Sequence, residues 1–477
     1  MKRILYIFIG LLFSLTSCND WLDVELDNKV DDDKLFSTAE GFKEALAGVY
    51  SEMSKSGMYG GRLTMEYVDA LAQYYSSNST YQYWVDYDYD NSGCRSIISS
   101  MWNNLYSCIS QVNCILEWTD KNAGVLSRAD RDQVRGEALA LRAFLHFDLY
   151  RLFAPDVKRS PKAEGIPYNK QFGVSLPPMY STEEVVQLVI DDLLEAETCL
   201  QDDPIKDIVP YMIRTSTATG DIVDKAAKDA MDKYVARMNL YSVKAMLARA
   251  YQARGEYGAA VSKAKEVIDS EKFRLLEATS IDQSENMVDL LFSDEHIFSL
   301  RNKELSTYTK SVFKENAGGG AAALRMTDSY NLYDGNRDDF RYSKWYVDFD
   351  FIKYVPDSNS IFTPKVPLIK LSEMYLLIAE CIYDTDQEEA RRYVNMLRRH
   401  RIRGNQEGAG DWMYLSREDI FKEMRREYIG EGQMWFVHKR NRLYLSGGLT
   451  GTIEASDDIF VFPLPDAEIE AGNRNKR

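Results

Sequence analysis

The stretch that most constrains the fold runs from residue 242 to residue 268, where two helical patterns follow one another around a glycine. Apolar residues recur at three- and four-residue spacing in SVKAMLARAYQAR and again in YGAAVSKAKEVI, which is typical of amphipathic helices. Gly255 stands between the two patterns, where the chain must reverse. The small residues Ala248, Ala260 and Ala264 allow two helices to approach closely. The stretch therefore predicts an antiparallel helix pair.

The order of residues in this pair resembles a tetratricopeptide repeat, in which helix pairs stack on copies of themselves. The residues that carry this resemblance are Leu247, Ala248, Tyr251, Gly255, Tyr257 and Ala260. One pair cannot bury both of its faces, so the chain should contain more. Segments with the same plan occur near residues 38–118, 131–200, 225–270 and 367–401. The sequence thus predicts a mainly α fold: a tetratricopeptide-like superhelix of helical hairpins with long irregular insertions and a few short β-strands.

The amino-terminal residues have the features of a secretory signal. Lys2 and Arg3 precede the apolar run 4–13, and small residues lead to Cys18. The run is shorter than the roughly 20 apolar residues that a membrane-spanning helix needs. Leu-Thr-Ser-Cys at 15–18 resembles a bacterial lipobox, in which the cysteine becomes the lipidated first residue of the mature chain. Ordinary secretion with a chance cysteine is the alternative. We expect three parts: a signal peptide over 1–17, a tether lipidated at Cys18 over 18–37, and one domain over 38–477.

Charge and motifs exclude several classes of function. The formal net charge of −16 argues against nucleic acid as a partner, because phosphates need a basic surface. The sequence holds no HExxH, GxSxG, paired CxxC or dinucleotide fingerprint. Its six cysteines include Cys18, and the others lack the paired spacing of a disulfide framework. We therefore expect no cofactor, no metal and no catalytic residues.

The segment 58–93 has the most unusual composition in the chain, because Tyr and Trp alternate there with Asp, Asn and Ser. Aliphatic residues become rare after Ser76. Aromatic rings among small polar residues suit a surface that stacks flat sugar rings and hydrogen-bonds their edges. Packing under a long loop is the alternative, and we expect it for Tyr59 and Tyr67. The candidate ligand-binding residues should form a shallow platform outside the helical repeats, with a second wall from further along the chain: Tyr74, Tyr75, Asn78, Tyr81, Trp84 and Tyr308.

Three aspartates in the same segment resemble the start of a calcium loop, because Asp86, Asp88 and Asp90 alternate along the chain. An EF-hand needs Gly at its sixth position and Glu at its twelfth, but Asn91 and Ile97 stand there. A solvated turn is the favoured interpretation, and a calcium site near 86–90 is the alternative.

Motifs along the whole chain resemble the SusD/RagB family of Bacteroidetes outer-membrane lipoproteins. Cys18 is followed by the short acidic and aromatic segment 19–23, as in that family. The residues Trp102, Tyr106 and Asn113 match one family helix. A second family helix is matched by Gly136, Glu137, Ala138, Leu141, Arg142, Ala143, Leu149 and Phe153.

A carboxy-terminal signature strengthens the resemblance. It is kept at Glu423, Arg425, Glu427, Glu431, Gly432 and Arg440. Met434 and Val437 replace an Arg and an Asp of the family one helical turn apart, so both members of a candidate ion pair are lost together. Exchange of a whole pair for apolar residues is tolerated, whereas loss of one member is not. This favours a packing role for the signature.

The resemblance implies a cell-surface glycan-binding lipoprotein, held in the outer membrane by lipid on Cys18 and facing the cell exterior. It also implies that the protein passes captured oligo- or polysaccharide to a SusC-like TonB-dependent transporter. Glycan-binding members carry aromatics and an asparagine at about the place of Tyr74, Tyr75 and Asn78. Two alternatives stay open. One is a peptide-binding protein of the same family, and the other is a surface glycoside hydrolase that uses carboxylates near 81–90.

Overall fold

The computed structural model describes residues 28–77, 81–173, 176–208, 231–276, 289–314, 324–326, 328–347, 350–355, 364–447, 451–472 and 474. The helices are α1 (Asn28–Leu35), α2 (Ala39–Met53), α3 (Tyr67–Leu71), α4 (Gln82–Val85), α5 (Ser92–Lys121), α6 (Arg128–Phe153), α7 (Thr182–Cys199), α8 (Leu240–Arg254), α9 (Tyr257–Ile268), α10 (Leu305–Phe313), α11 (Ser329–Leu332), α12 (Phe340–Lys344), α13 (Leu371–Ile382), α14 (Gln387–Arg401), α15 (Arg417–Glu427), α16 (Met434–Asn441), α17 (Asp457–Phe460) and α18 (Asp466–Gly472). The strands are β1 (Ser76–Ser77), β2 (Glu164–Pro167), β3 (Met179–Ser181), β4 (His296–Arg301), β5 (Leu324–Arg325), β6 (Tyr346–Val347), β7 (Asp350–Phe351), β8 (Lys365–Lys370), β9 (Leu445–Gly447) and β10 (Gly451–Ile453). Across these ranges, no helix combines the length and the apolar character that a membrane span requires.

Helices α8 and α9 form the pair that was expected around Gly255. Asn239 caps α8 by accepting hydrogen bonds from the backbone N–H groups of Tyr241 and Ser242. Gly255 ends α8 with a φ of 82°, a left-handed conformation that glycine adopts without steric cost. On α9, Ala260 and Ala264 are fully buried, as close helix packing requires. The apolar spacing and the glycine therefore predicted this hairpin correctly.

Three further helix pairs complete the repeat-like core. Helix α6 packs against α7, α13 against α14, and α2 against α5. The pairs also contact one another, because α7 meets α8 and α9 meets α13. Nearly every residue of α6 from Gly136 to Phe153 is buried, so this helix lies at the centre of the fold. The predicted class, mainly α with helical hairpins and short strands, is confirmed.

The described strands pair two by two, and none of these pairs extends into a larger sheet. The longest pair joins β4 to β8 in antiparallel register, with His296 opposite Lys370 and Leu300 opposite Val366. All residues of β8 are buried, and the strand leads directly into α13. The pair therefore anchors the irregular middle of the chain to a core hairpin.

Buried ion pairs fix α15 to this core. The Glu427 carboxylate accepts hydrogen bonds from Arg341 Nη1 at 2.9 Å, from Arg401 Nε at 3.0 Å and from Lys370 Nζ at 2.9 Å. On the same helix, Glu423 pairs with Arg341 at 2.7 Å. These side chains are almost completely shielded from water. The two signature glutamates thus hold the fold together, which agrees with the packing role inferred from the sequence.

Candidate ligand-binding surface

Two segments that are far apart in the chain meet at the candidate site. Strand β1 pairs with β5 in antiparallel register, with Ser76 opposite Arg325 and Ser77 opposite Leu324. The pairing joins the aromatic segment 58–93 to the part of the chain that begins with α10 and carries Tyr308. The structure therefore brings together the two segments that were expected to supply the two walls of a binding site.

Glu66 is the polar centre of this junction. Tyr81 donates a hydrogen bond to Glu66 Oε1 at 2.6 Å, and Tyr308 donates one to Oε2 of the same carboxylate. Burial raises the pKa of Glu66, while the two tyrosine hydroxyls and Arg62 act in the opposite direction. The carboxylate therefore orients both phenol groups. Each phenol oxygen keeps the capacity to accept a further hydrogen bond, and Tyr308 is only half-buried.

Gly61 makes room for Tyr308. A Cβ atom at this position would lie 2.7 Å from Tyr308 Cζ and 2.8 Å from the Ser56 carbonyl oxygen. Real carbon contacts are longer, so any larger residue would displace the ring or the backbone. The site thus depends on a glycine that lies more than two hundred residues before the tyrosine it accommodates.

The rings named for the platform do not form a solvent-facing surface. Tyr74, Tyr75, Tyr81 and Trp84 are between 2% and 5% exposed. The tryptophan ring packs against Phe462, with 5.6 Å between the ring centroids. The expectation that these rings form a shallow platform at the surface is therefore wrong. Direct participation of these residues in ligand binding stays a prediction.

The rings are buried because their polar groups find partners inside the protein. Trp84 Nε1 donates to the Tyr67 carbonyl at 2.7 Å, and the Tyr74 hydroxyl donates to the Arg425 carbonyl at 2.6 Å. The scarcity of aliphatic residues in this segment suggested an exposed surface. However, Tyr and Trp side chains fill a protein interior equally well when their polar groups are hydrogen-bonded. Tyr59, which was expected to pack, is indeed buried and donates to Asp148 at 2.8 Å.

Asp69 ties the aromatic segment to the carboxy-terminal signature. Its carboxylate accepts hydrogen bonds from the backbone N–H groups of Gly430 and Gly432 and from the Tyr75 hydroxyl at 3.4 Å. Burial raises the pKa of Asp69 to about 8, although the two backbone donors and Lys353 lower it. Tyr75 is therefore part of a structural clamp between α3 and the turn that precedes α16.

Two exposed rings that lie close to the junction segments in the sequence were missed by the sequence reasoning. Tyr83 on α4 is 52% exposed, and Tyr330 on α11, five residues beyond β5, is 65% exposed. Helical spacing contained a signal for the first ring. Tyr81, Trp84 and Val85 follow one another at three- and one-residue intervals, which places them on one helical face and Tyr83 on another.

The remaining sequence predictions for this region concern Asn78, Cys18 and calcium. Asn78 and Cys18 lie outside the described residues. Asp86, Asp88 and Asp90 are exposed, as a solvated turn requires. In the portion of the chain with described coordinates, no group of three or more His, Cys, Asp or Glu side chains is arranged to hold a metal ion.

Comparison with protein families identifies the chain. Residues 20–222 match a family model of SusD-like proteins that is described as starch-binding and associating with the outer membrane. Residues 327–458 match a second model, that of the SusD/RagB family. The chain belongs to the SusD/RagB family. The two matched ranges include the helix over 136–153 and the signature over 423–440, on which the resemblance was based.

One relative and two solved structures are similar to this chain. The chain is 29% identical over 199 residues to SusD-like protein P38 of Formosa agariphila, which is 41% of this chain and 36% of that relative's length. A putative sugar binding protein from Bacteroides vulgatus has a TM-score of 0.71 at 23% identity, covering 92% of this chain and 98% of the other. A SusD superfamily protein from Bacteroides thetaiotaomicron has a TM-score of 0.70 at 21% identity, covering 92% and 99%. At these identities, the structural likeness shows a shared fold.

Proposed function

We propose that this SusD/RagB-family protein is a cell-surface glycan-binding lipoprotein that functions in nutrient uptake. It captures an oligo- or polysaccharide and passes it to a SusC-like TonB-dependent transporter. Lipid on Cys18 holds it in the outer membrane, facing the cell exterior. Family membership supports the general role, and a structural neighbour described as a putative sugar binding protein supports carbohydrate as the ligand class. The lipobox-like motif at Cys18 supports the anchor.

The observation that carries the ligand proposal is the Glu66 carboxylate with its two tyrosine donors, at the junction of two distant segments. Sugars offer hydroxyl groups at the rim of a flat ring face, and their recognition needs fixed polar groups beside an aromatic surface. The phenol oxygen of Tyr308 accepts a hydrogen bond from a ligand hydroxyl group, because the phenol proton is already donated to Glu66. Tyr83 offers an exposed ring for stacking. Asn78, which directly follows β1 in the sequence, supplies further hydrogen bonds.

A binding function suits the chemistry of Glu66 better than hydrolysis. Both of its oxygens accept hydrogen bonds from tyrosines, so the carboxylate is engaged in orienting these two phenols. A glycosidase also requires a second carboxyl group across the scissile bond. We therefore expect intact glycan to be recovered after incubation with the protein. Release of shorter sugars by the purified protein would contradict this proposal.

The test is isothermal titration of the purified protein with glycans selected on a glycan array. Tyr83→Ala should weaken binding by about 2 kcal/mol if its ring is a stacking anchor. Tyr308→Phe should weaken binding because it keeps the ring and removes the hydroxyl group. Tyr414→Ala is the matched control, because Tyr414 is a 90% exposed tyrosine on the loop before α15. Binding should also persist at high salt, since a neutral ligand is not screened.

Three results would contradict the proposal. Unchanged affinity in both Tyr83→Ala and Tyr308→Phe would place the binding site elsewhere. An equal loss in Tyr414→Ala would show that the titration reports a non-specific effect of exposed aromatic rings. Displacement of the ligand by peptides but not by free sugars would show that the protein is a peptide binder.

A further inference from the structure

A cavity lies inside the helical core, between α6, α8, α13 and α16. Its volume is 60 Å³, and one water needs roughly 10–15 Å³ by this measure. Most of the side chains around it are buried, whereas Ala253, Gln433 and Arg440 at its edge are half-buried. The cavity thus has room for a small molecule and a route to solvent. It involves none of the residues of the Glu66 junction.

The arginines that line the cavity are each paired with a carboxylate. Arg249 Nε donates to Glu373 at 2.6 Å, and Arg440 Nε donates to Glu380 at 2.9 Å. A third arginine, Arg151, donates from Nε to Asp148 at 3.1 Å. Because these charges cancel in pairs, they hold the walls in place and leave no net attraction for a ligand.

Lys439 is the cation that remains after this pairing. It lines the cavity and is only 5% exposed. Among the described residues it forms no ion pair, and its amino group donates to the Arg151 carbonyl at 2.5 Å. The lining carboxylate Asp156 already pairs with Arg159 at 3.5 Å. A buried amine with unused N–H donors and no carboxylate in direct contact is costly, because it has lost its water.

A second unused donor faces the same space. Tyr428 lines the cavity and is 3% exposed. Its hydroxyl makes no hydrogen bond to any residue in the ranges given above, so it is available to donate to a molecule in the cavity. The lining therefore has spare hydrogen-bond donors beside Phe147, Leu377 and Val437, which are apolar. A complementary ligand has acceptor oxygens at one end and a short apolar part.

We propose that this cavity is a binding site for a small organic carboxylate. The Lys439 amino group and the Tyr428 hydroxyl donate hydrogen bonds to the carboxylate oxygens, and the apolar part of the ligand contacts the apolar lining. The bound anion supplies the contacting carboxylate that Lys439 does not have within the protein. Binding at this site is independent of glycan capture at the Glu66 junction.

Protonation of Lys439 couples this binding to pH. Burial lowers the pKa of Lys439 to about 7, in a setting where Asp156 and Asp457 favour the charged amine and Arg159 and Arg151 disfavour it. A bound carboxylate favours the charged form and therefore raises this pKa. Binding should take up a proton at and above neutral pH, and affinity should fall as the pH rises through the pKa of the free site.

The experiment is calorimetric titration of the whole protein with propionate, at about pH 6 and about pH 8.5, on either side of the lysine pKa. Propionate should bind more tightly at the lower pH. Titrations in two buffers with different ionisation enthalpies should show proton uptake. Tyr428→Phe and Lys439→Met should each weaken binding about tenfold, the loss of one hydrogen bond to a charged group.

Matched controls separate binding from stability. Tyr383→Phe removes a half-buried tyrosine hydroxyl outside the cavity, and Lys422→Met removes a half-buried lysine that pairs with Asp334 outside the cavity. Both should bind propionate like the parent. Tyr428→Phe should keep the parent melting temperature, because the hydroxyl has no protein partner to lose. Lys439→Met should keep or raise it, since an unpaired buried amine disappears.

The proposal is overturned by any of four results. The first is the absence of binding heat with propionate, and the second is binding of inorganic phosphate, titrated in parallel, without binding of propionate. The third is parent-like affinity for propionate in both cavity variants, and the fourth is an affinity for propionate that does not change with pH. Phosphate binding alone would show a site for inorganic anions. Parent-like affinity in both variants would place the propionate site outside this cavity.

Discussion

Replacing Glu427 by glutamine removes the central negative charge of the buried ion pairs around α15. The carboxylate accepts hydrogen bonds from Arg341 Nη1 and Lys370 Nζ at 2.9 Å each, and from Arg401 Nη2 and Nε at 2.9 and 3.0 Å. Glutamine keeps one acceptor oxygen and turns an NH₂ group towards the cations. Removing one member of a buried ion pair costs about 3–5 kcal/mol. Each of the three cations keeps a second carboxylate, because Arg341 also pairs with Glu423, Arg401 with Glu295 and Lys370 with Glu431. We therefore expect the lower end of that range.

Lowering the pH should show how much the same ion pairs contribute to the stability of the parent protein. Burial alone would raise the pKa of Glu423 and Glu427. Arg341 and Arg426 outweigh it at Glu423, and Arg401 and Lys370 outweigh it at Glu427. The pKa of Glu423 is lowered to about 2, and that of Glu427 lies well below its usual value. A carboxyl group with a lowered folded-state pKa stabilises the fold above its unfolded pKa of about 4.3. This stabilisation should disappear as the pH falls from there towards 2, and Glu427→Gln should lose less stability over that interval.

The assay is urea denaturation of the parent, Glu427→Gln and a control, followed by circular dichroism. Glu44→Gln is the control, because Glu44 is an exposed glutamate on α2. It should change the free energy of unfolding by about 0.5 kcal/mol or less, as surface substitutions usually do. If Glu427→Gln costs no more than Glu44→Gln, the ion pairs do not stabilise the fold and the reasoning is refuted.

Three further predictions concern the core, the junction and the anchor. Leu247→Ala removes a fully buried side chain of α8 and should cost about 2–5 kcal/mol by urea denaturation; a parent-like value would show that this face of the hairpin is not packed. Gly61→Ala should displace Tyr308 and weaken glycan binding in calorimetry, whereas Gly48→Ala, with no atom within 4 Å of the added carbon, should bind like the parent; equal affinity in all three proteins would contradict the role of Gly61. Cys18→Ala should abolish acyl labelling and partition into the aqueous phase in a detergent extraction, and equal membrane retention of variant and parent would rule out the lipid anchor.

The sequence determined the helical architecture because helix formation and pairing are local. The spacing around Gly255 specifies two apolar faces and a reversal within 27 residues, so the hairpin of α8 and α9 could be predicted without knowledge of distant contacts. Glu423 and Glu427 were likewise recognised from a local pattern, as part of a family signature. Their partners were not, since Arg341 and Lys370 lie more than fifty residues earlier in the chain.

Only the tertiary structure decided which aromatic rings face water. Tyr and Trp each combine an apolar ring with a polar group, so their sequence neighbours do not settle whether a given ring is buried. Trp84 is buried because Phe462 covers it, and Tyr74 because Arg425 supplies a carbonyl, and both partners come from the far end of the chain. Glu66 had no distinguishing sequence pattern, yet it orients Tyr81 and Tyr308. Periodicity shows which face of a helix is apolar, whereas the partner that covers this face is set by contacts hundreds of residues away.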